Sequence, residues 1–182
     1  IAGMGDLSQE RGSKELNAVG KVLSPGFIDS HTHDDRAVLH EPLMSCKISQ
    51  GVTTVITGNC GVSLAPLKYE QRPPPPLDLV CEDPKLFFSE FSGYLKTLDQ
   101  EPPSLNVAAQ VGHSTLRLGA MDRLDREATP DEIKTMRSRL ESSLLDGAIG
   151  FSTGLFYPPA GSSSTEEVIE IAKSLKQHHG IH

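Results

Sequence analysis

Short apolar runs alternate with longer stretches of helical character from residue 25 onward. The apolar runs predict four strands, at residues 26–30, 53–57, 105–111 and 148–152. The stretches that follow them predict four helices, at residues 41–50, 84–98, 130–146 and 164–180. Strands and helices that alternate in this way are typical of βα units around a parallel sheet. The pattern therefore predicts an α/β fold built from four such units.

Local signals support the predicted helix ends. Thr129 and Glu132 have the spacing of a capping box, and Ser164 and Glu167 repeat it at the start of the last helix. Gly51 is placed to end the first helix in a left-handed conformation. These residues predict where the helices begin and end.

The two ends of the chain differ from the region between them. Residues 1–24 are rich in Gly and polar residues and start without Met, so we expect a remnant of a small β domain within a longer product. Residues 25–182 carry the βα pattern. Ile181 and His182 predict the start of a fifth strand, so we expect this unit to be truncated before strand five.

Composition and charge narrow the possible partners. The chain has 182 residues, with 17 Lys and Arg against 24 Asp and Glu, for a net charge of -7. Nucleic-acid binding needs a basic stripe, which this scattered and acidic pattern does not supply. The chain contains no run of 18 apolar residues, the length that would indicate a membrane span. Residues 1–12 lack the pattern of a signal peptide. Three Cys, an odd number, favour a reducing compartment, and we predict the cytoplasm.

His31 and His33 directly follow the first predicted strand, which begins after Pro25 and Gly26. Residues two apart in an extended chain point to the same side, so both imidazoles would enter one cavity at the carboxyl end of the strand. Two neutral imidazoles form half of a zinc site. A pair of histidines hydrogen-bonded in the core is the alternative, but the position at a strand end favours metal binding.

Cys60 follows the second predicted strand and lies between Gly58 and Gly61. The carboxyl ends of parallel strands meet at one edge, where α/β barrels build their active sites. The Cys60 thiolate is therefore a candidate metal ligand beside the two histidines. Free cysteine also serves often as a small buried hydrophobe, which is the alternative.

Two further residues at the same edge are candidate substrate contacts. His113 ends the third predicted strand and could contact substrate or metal, although a histidine hydrogen-bonded at a strand end would look the same. Tyr157 lies in a loop rich in Gly and Pro and could bind a carboxylate or an acyl group, or only pack the loop.

Several segments together resemble one enzyme family. Residues 25–35, PGFIDSHTHDD, are similar to the first-strand signature of the amidohydrolase superfamily. Residues 51–55, GVTTV, and 58–61, GNCG, resemble its N-acyl-D-amino-acid deacylase (D-aminoacylase) branch, in which a cysteine replaces a bridging carboxylated lysine. Residues 112–117 and 150–157 are similar to two later stretches of that branch.

The resemblance implies a zinc-dependent amidohydrolase that acts on carbon–nitrogen bonds other than peptide bonds. Its fold would be a TIM-type (β/α) barrel, here partial with the first four βα units, beside a small β domain. Zinc would be held tightly by Cys60 and two later histidines, with His31 and His33 forming a second, weaker site. A metal-bound water would attack the acyl carbonyl of an N-acyl-D-amino acid, assisted by an aspartate after the last strand. The products would be a carboxylate and a free D-amino acid.

The sequence departs from this family pattern at its end. Residues 180–182 match the stretch just before the first of the later histidine ligands, so His182 is not assigned as that ligand. We therefore expect an inactive and weakly stable fragment of an active enzyme, with a small-molecule partner and an oligomeric state that the sequence leaves open. Two alternatives stand beside this interpretation, an amidohydrolase acting on cyclic amides and a non-catalytic truncated relic.

Overall fold

The computed structural model describes residues 3–182, which form one parallel sheet with helices packed on it. The described strands are β1 (Phe27–Asp29), β2 (Val52–Thr57), β3 (Asn106–Gly112) and β4 (Gly150–Ser152). The described α-helices are α1 (Ala37–His40), α2 (Ser45–Ile48), α3 (Leu77–Val80), α4 (Phe91–Gln100), α5 (His113–Ala120), α6 (Pro130–Asp146), α7 (Pro158–Gly161) and α8 (Thr165–His178). A 3₁₀ helix spans Pro84–Leu86.

The four strands lie in the order β1-β2-β3-β4, and every neighbouring pair is parallel. Sequential order with helical crossovers is the arrangement of a TIM-type barrel, and four strands form half of one. The predicted fold class is thus confirmed. Ile181 makes a parallel bridge to Gly150 on the open side of β4, where the sequence predicts a fifth strand to begin.

The core lies between the sheet and the long helices. Val55, Val111 and Phe151, one from each of three successive strands, are fully buried. Met136 and Leu140 are also fully buried and lie one turn apart on α6, on the helix face that the sequence pattern predicts. Full burial of such side chains contributes about 1.5–3 kcal/mol each, so this interface holds the layers together.

Two predicted helices are wrong in extent because other interactions interrupt them. Within the helix predicted at residues 41–50, the structure has only the single turn α2. A second single turn, α1, ends just before residue 41, and Met44 between the two turns has φ of +44°. The helix predicted at residues 84–98 is divided into the 3₁₀ helix and α4, which are separated at Phe88. Its amide donates to the Leu64 carbonyl at 2.9 Å, and its carbonyl accepts from the Leu67 amide at 2.6 Å. These bonds to another segment replace the helical ones.

The helix α5 is missing from the sequence-based prediction. It begins at His113 directly after β3, in a stretch of mixed Gly, Ser and Thr that has no clear apolar period. Its first five residues are nevertheless all buried. Tertiary packing, rather than intrinsic propensity, accounts for this helix.

The predicted capping box is confirmed at α6, whereas at α8 only one of its two hydrogen bonds is present. Thr129 and Glu132 form the reciprocal capping box at the start of α6. At α8, the Ser164 hydroxyl accepts from the Glu167 amide at 3.2 Å, but the Glu167 carboxylate does not return to the helix end. It points into the core, where Arg117 Nη1 donates to both of its oxygens at 2.6 Å.

Arg117 and Glu167 form a fully buried ion pair that joins α5 to α8. Burial alone would raise the pKa of Glu167, but hydrogen bonds from His113 and Arg117 outweigh it, and the pKa is lowered. Arg117 also donates to the carbonyl oxygens of Pro159 and Arg126, both at 2.7 Å. The pair therefore anchors two loops as well as two helices.

The N-terminal segment contributes no regular structure. Residues 3–24 contain no helix or strand and are exposed, and residues 1 and 2 lie outside the described residues. The assignment of residues 1–24 to a small β domain stays a prediction. In the part of the chain that the structure describes, no helix is both long and apolar enough to cross a membrane.

We expect Arg117→Met to lower the free energy of unfolding by about 3–5 kcal/mol, because it leaves the Glu167 carboxylate buried without its ion partner. Arg123→Met is the matched control, since Arg123 pairs with Asp125 on the surface and such pairs contribute about 0–1 kcal/mol. Urea unfolding followed by circular dichroism measures both. Equal losses for the two variants would contradict a structural role for the buried pair.

Candidate metal centre

His31, His33 and Cys60 converge at the carboxyl ends of β1 and β2. One ligand atom from each lies within 4.8 Å of the others, and His31 Nε2 is 3.1 Å from Cys60 Sγ. The two imidazole rings are 5.8 Å apart, centre to centre, and nearly perpendicular. Thr32 between them is buried, so the two histidines share the exposed side of an extended segment. The structure brings these three predicted ligands together.

The loop that carries Cys60 has an unusual backbone. Gly58 and Gly61 have φ of +76°, and Cys60 itself has φ of +53°. A Cβ at Gly58 would clash with the Gln110 carbonyl on β3, so the close approach of the two strands requires glycine there. The two glycines thus let the chain turn sharply enough to present the thiol at the sheet edge.

Ser152 at the end of β4 holds both ends of this loop. Its hydroxyl donates to the Gly58 carbonyl and accepts from the Gly61 amide at 3.0 Å. Asp35 accepts from the Gly58 amide at 2.9 Å, from the side of β1. All three bonds are buried, so the thiol is positioned by groups on both neighbouring sides of β2.

Asn59 links the cysteine loop to the histidine segment. Its side-chain nitrogen donates to the Thr32 carbonyl at 3.2 Å and to the Ile56 carbonyl at 2.7 Å. Gln110 donates to its side-chain oxygen at 3.2 Å. Thr32 lies between the two histidines, so Asn59 fixes the imidazoles and the thiol relative to each other.

Lys47 of α2 binds polar groups of residues 29–34, the segment that contains both histidines. Its ammonium lies 2.6 Å from Asp29 and 3.0 Å from Asp34, and donates to the Thr32 hydroxyl at 3.3 Å. The bond from Lys47 lowers the pKa of Asp29, and the same bond raises the pKa of Lys47. Sequence reasoning missed Lys47, because no spacing rule relates it to the motif.

Electrostatics favour the metal-binding form of one imidazole. Partial burial lowers the pKa of His33, and proximity to His31 lowers it further, against the opposing effect of Asp34. The lowered pKa favours the neutral imidazole, which is the form that has a lone pair for a metal ion. Burial raises the pKa of Asp35 to about 7, although its bond from Gly58 opposes the shift.

The donor set fits zinc. Two imidazoles and one thiol are ligands that zinc prefers, and the spacing of their atoms, within 4.8 Å, is compatible with a common ion or two adjacent ones. Hard cations such as Mg²⁺ and Ca²⁺ prefer oxygen donors. The cluster is thus suited to zinc chemistry rather than to a magnesium or calcium site.

Of the two predicted substrate contacts, one lies at the cluster and the other does not. Tyr157 lines a cavity together with His33 and Cys60. His113 is fully buried, with its Nε2 2.8 Å from Glu167 and its ring against Phe151. The substrate contact predicted for His113 is at odds with this burial. The residue belongs to the buried ion cluster because β3 continues directly into α5.

A second cavity of about 370 Å³ lies beside the candidate ligands at the strand ends. His31 and Cys60 border it on one side and His182 on the other. His182 Nε2 is 3.4 Å from the Thr153 hydroxyl, outside the cluster of three ligands.

Comparison with known proteins places the chain among the amidohydrolases. The sequence profile of the amidohydrolase family matches residues 14–178. The chain is 51% identical over all 182 residues to D-aminoacylase of Alcaligenes xylosoxydans xylosoxydans, and it spans 37% of that protein's length.

The fold of the chain is also similar to solved structures of such enzymes. A D-aminoacylase studied for its binuclear metal centre superimposes with a TM-score of 0.93 at 54% identity, over 99% of this chain and 38% of the other. N-acyl-D-glutamate deacylase from Bordetella bronchiseptica, complexed with zinc and a phosphonate mimic of the tetrahedral intermediate, superimposes with a TM-score of 0.91 at 39% identity. That match covers 100% of this chain and 38% of the deacylase.

We expect Ser152→Ala to weaken zinc binding about 10- to 100-fold, the range typical of groups that orient metal ligands. The variant leaves the Gly58 carbonyl and the Gly61 amide without their shared partner, so the cysteine loop loses its support. Ser163→Ala is the control, because its hydroxyl bonds only to the nearby Ala160 carbonyl. Competition with a zinc chelator measures both affinities, and equal values for the two variants would exclude a positioning role for Ser152.

Proposed function

Because the chain belongs to the amidohydrolase family, we propose that the complete protein hydrolyses the amide bond of N-acyl-D-amino acids. In this proposal residues 25–182 supply the first half of its barrel and part of its zinc centre. The observation that carries the proposal is the convergence of His31, His33 and Cys60 at one end of the sheet. The similarity to D-aminoacylase along the whole chain supports the choice of substrate class.

Cys60 is the proposed ligand of a tight zinc site, which two histidines from the remainder of the protein would complete. His31 and His33 are proposed to form a second, weaker site next to it. The 3.1 Å between His31 Nε2 and Cys60 Sγ supports a thiolate shared by both sites. When bound, zinc would lower the pKa of a water molecule and polarise the acyl carbonyl.

The remaining polar groups of the chain would hold these ligands in place. Lys47 offsets the charge of Asp29 and Asp34 beside the histidines, so the segment keeps its shape. Tyr157 borders the cavity next to His33, and we propose that it contacts the substrate. The general base, an aspartate, is expected from the remainder of the protein. His113 was also predicted to contact substrate, but its burial favours a structural role.

Apolar surface on β1 supports a larger barrel. Phe27 and Ile28 are 59% and 64% exposed, which is unusual for consecutive apolar residues of a parallel strand. Strands from the rest of the barrel would cover this edge, and strand five would continue from the bridge of Ile181 to Gly150. The remnant of a small β domain predicted at residues 1–24 belongs to the same proposal.

We propose the cytoplasm as the compartment. All three cysteines, which lie in the described part of the chain, are free thiols. Cys60 must stay reduced to bind zinc, and a reducing compartment preserves it.

The decisive experiment is hydrolysis of N-acetyl-D-methionine by the complete, zinc-loaded protein. We expect turnover of the D form, none of the L form, and none of a cyclic amide such as dihydrouracil. The 182-residue chain alone should be inactive, because the base and two ligands are absent from it. Turnover of the cyclic amide only would favour the cyclic-amide alternative, and inactivity of the complete protein on all three substrates would favour the relic.

A second prediction concerns metal content. Cys60→Ala should abolish tight zinc binding in the complete protein, whereas His31→Ala should remove only weakly bound zinc. Cys46→Ala is the matched control, because Cys46 is exposed and lies outside the cluster. Elemental analysis after dialysis gives zinc per chain. Full retention of zinc in Cys60→Ala would overturn the ligand assignment.

A further inference from the structure

An apolar cavity of about 240 Å³ adjoins the metal ligands on the side away from the sheet interior. His33 and Cys60 form one wall, and Tyr157 another. The rest of the wall comes from the loop after β2 and from α3, and the apolar residues that line it are Val62, Pro76, Leu79 and Val80. A ligand in this cavity would touch both the metal centre and a hydrocarbon surface.

The apolar wall is built by the anchoring of α3. Leu77 and Cys81 are 0% and 1% exposed and hold the helix to the core. Leu79 between them is 84% exposed, so it lies at the mouth of the cavity with most of its side chain uncovered. On the outside, Arg72 pairs with Glu82 at 2.9 Å and ties the two ends of the segment together. The wall is therefore held in position before any ligand binds.

The charge of the cavity decides which part of the substrate fits. An N-acyl amino acid has two groups on the scissile carbonyl carbon, an uncharged acyl chain and an amino acid with a carboxylate. A buried carboxylate needs a cationic or hydrogen-bonding partner. Among the described residues, no Lys or Arg lines this cavity. The amino-acid carboxylate is thus poorly accommodated there, and a hydrocarbon chain is well accommodated.

We propose that this cavity is the binding site for the acyl chain of the substrate, an inference that rests on the proposed deacylase function. The volume of about 240 Å³ corresponds to about eight water molecules at 30 Å³ each. An acetyl group leaves most of that space unfilled. Acyl chains of about four to six carbons fill it and displace water from Val80 and Leu79.

The test is a series of N-acetyl-, N-butyryl- and N-hexanoyl-D-methionine hydrolysed by the complete, zinc-loaded protein. We expect kcat/KM to rise with chain length by up to about fourfold per methylene, the factor that corresponds to about 0.8 kcal/mol per buried methylene. Calorimetric titration with the products provides a readout that needs no turnover. Hexanoate should bind more tightly than acetate.

Val80→Phe should fill the cavity. We expect it to lower kcat/KM for the hexanoyl substrate at least tenfold more than for the acetyl substrate, and to abolish the advantage of hexanoate over acetate. Leu79→Ala, at a side chain that is 84% exposed and hence safe for folding, should reduce the preference for hexanoyl several-fold. Leu145→Phe, at an exposed position of α6 outside the cavity, is the control for an added aromatic ring.

Two results would overturn the proposal. The first is an unchanged acyl-chain preference in both variants. The second is a change in the preference among N-acetyl-D-alanine, N-acetyl-D-leucine and N-acetyl-D-methionine instead, which would assign the cavity to the amino-acid side chain. Absence of turnover with every substrate would refute the deacylase function. In that case the comparison of hexanoate with acetate still decides whether the cavity binds an acyl chain.

Discussion

The position of the Cys60 thiol depends on a buried hydroxyl from another strand. Ser152 Oγ bonds to the Gly58 carbonyl and the Gly61 amide and so closes the turn in which Cys60 has φ of +53°. Left-handed backbone is costly for a residue with a side chain and persists only where surrounding bonds enforce it. Because Ser152 belongs to β4, the Cys60 thiol after β2 is in place only when β3, the strand between them, pairs with both. The sheet and the cysteine loop are therefore one structural unit.

The buried ion pair of Arg117 and Glu167 also positions a loop, in this case from the helices outside the sheet. Arg117 binds Glu167 of α8 and also donates to the Pro159 carbonyl, which follows Tyr157 by two residues. The helix layer thus fixes the loop that carries the tyrosine beside the metal ligands. Such a pair is costly to bury and contributes mainly when all of its hydrogen bonds are made. Here its contacts extend to a loop, so its value lies in orienting that loop as well as in joining two helices.

Much of the fold and the convergence of His31, His33 and Cys60 could be predicted from sequence because each follows from a local rule. The period of two places His31 and His33 on one side, and parallel pairing brings Cys60 to the same edge. Contacts between distant segments obey no such rule. Glu167 has the spacing of a capping box, yet its carboxylate is directed inward by Arg117, 50 residues away. His113 follows a strand, yet an unpredicted helix begins there and buries it. In both cases a long-range partner overrides the local signal.

His31, His33 and Cys60 lie between two cavities, and Cys60 borders both of them. Toward the sheet interior, Cys60 borders a cavity lined by Gln110, Thr153 and His182. Toward α3 it borders one lined by valine, proline and leucine. The ligands come from the strand ends, whereas the apolar wall comes from the loop after β2, and loops tolerate sequence change more readily than strands. The apolar wall can therefore vary in sequence within this fold while the cluster of His31, His33 and Cys60 stays the same.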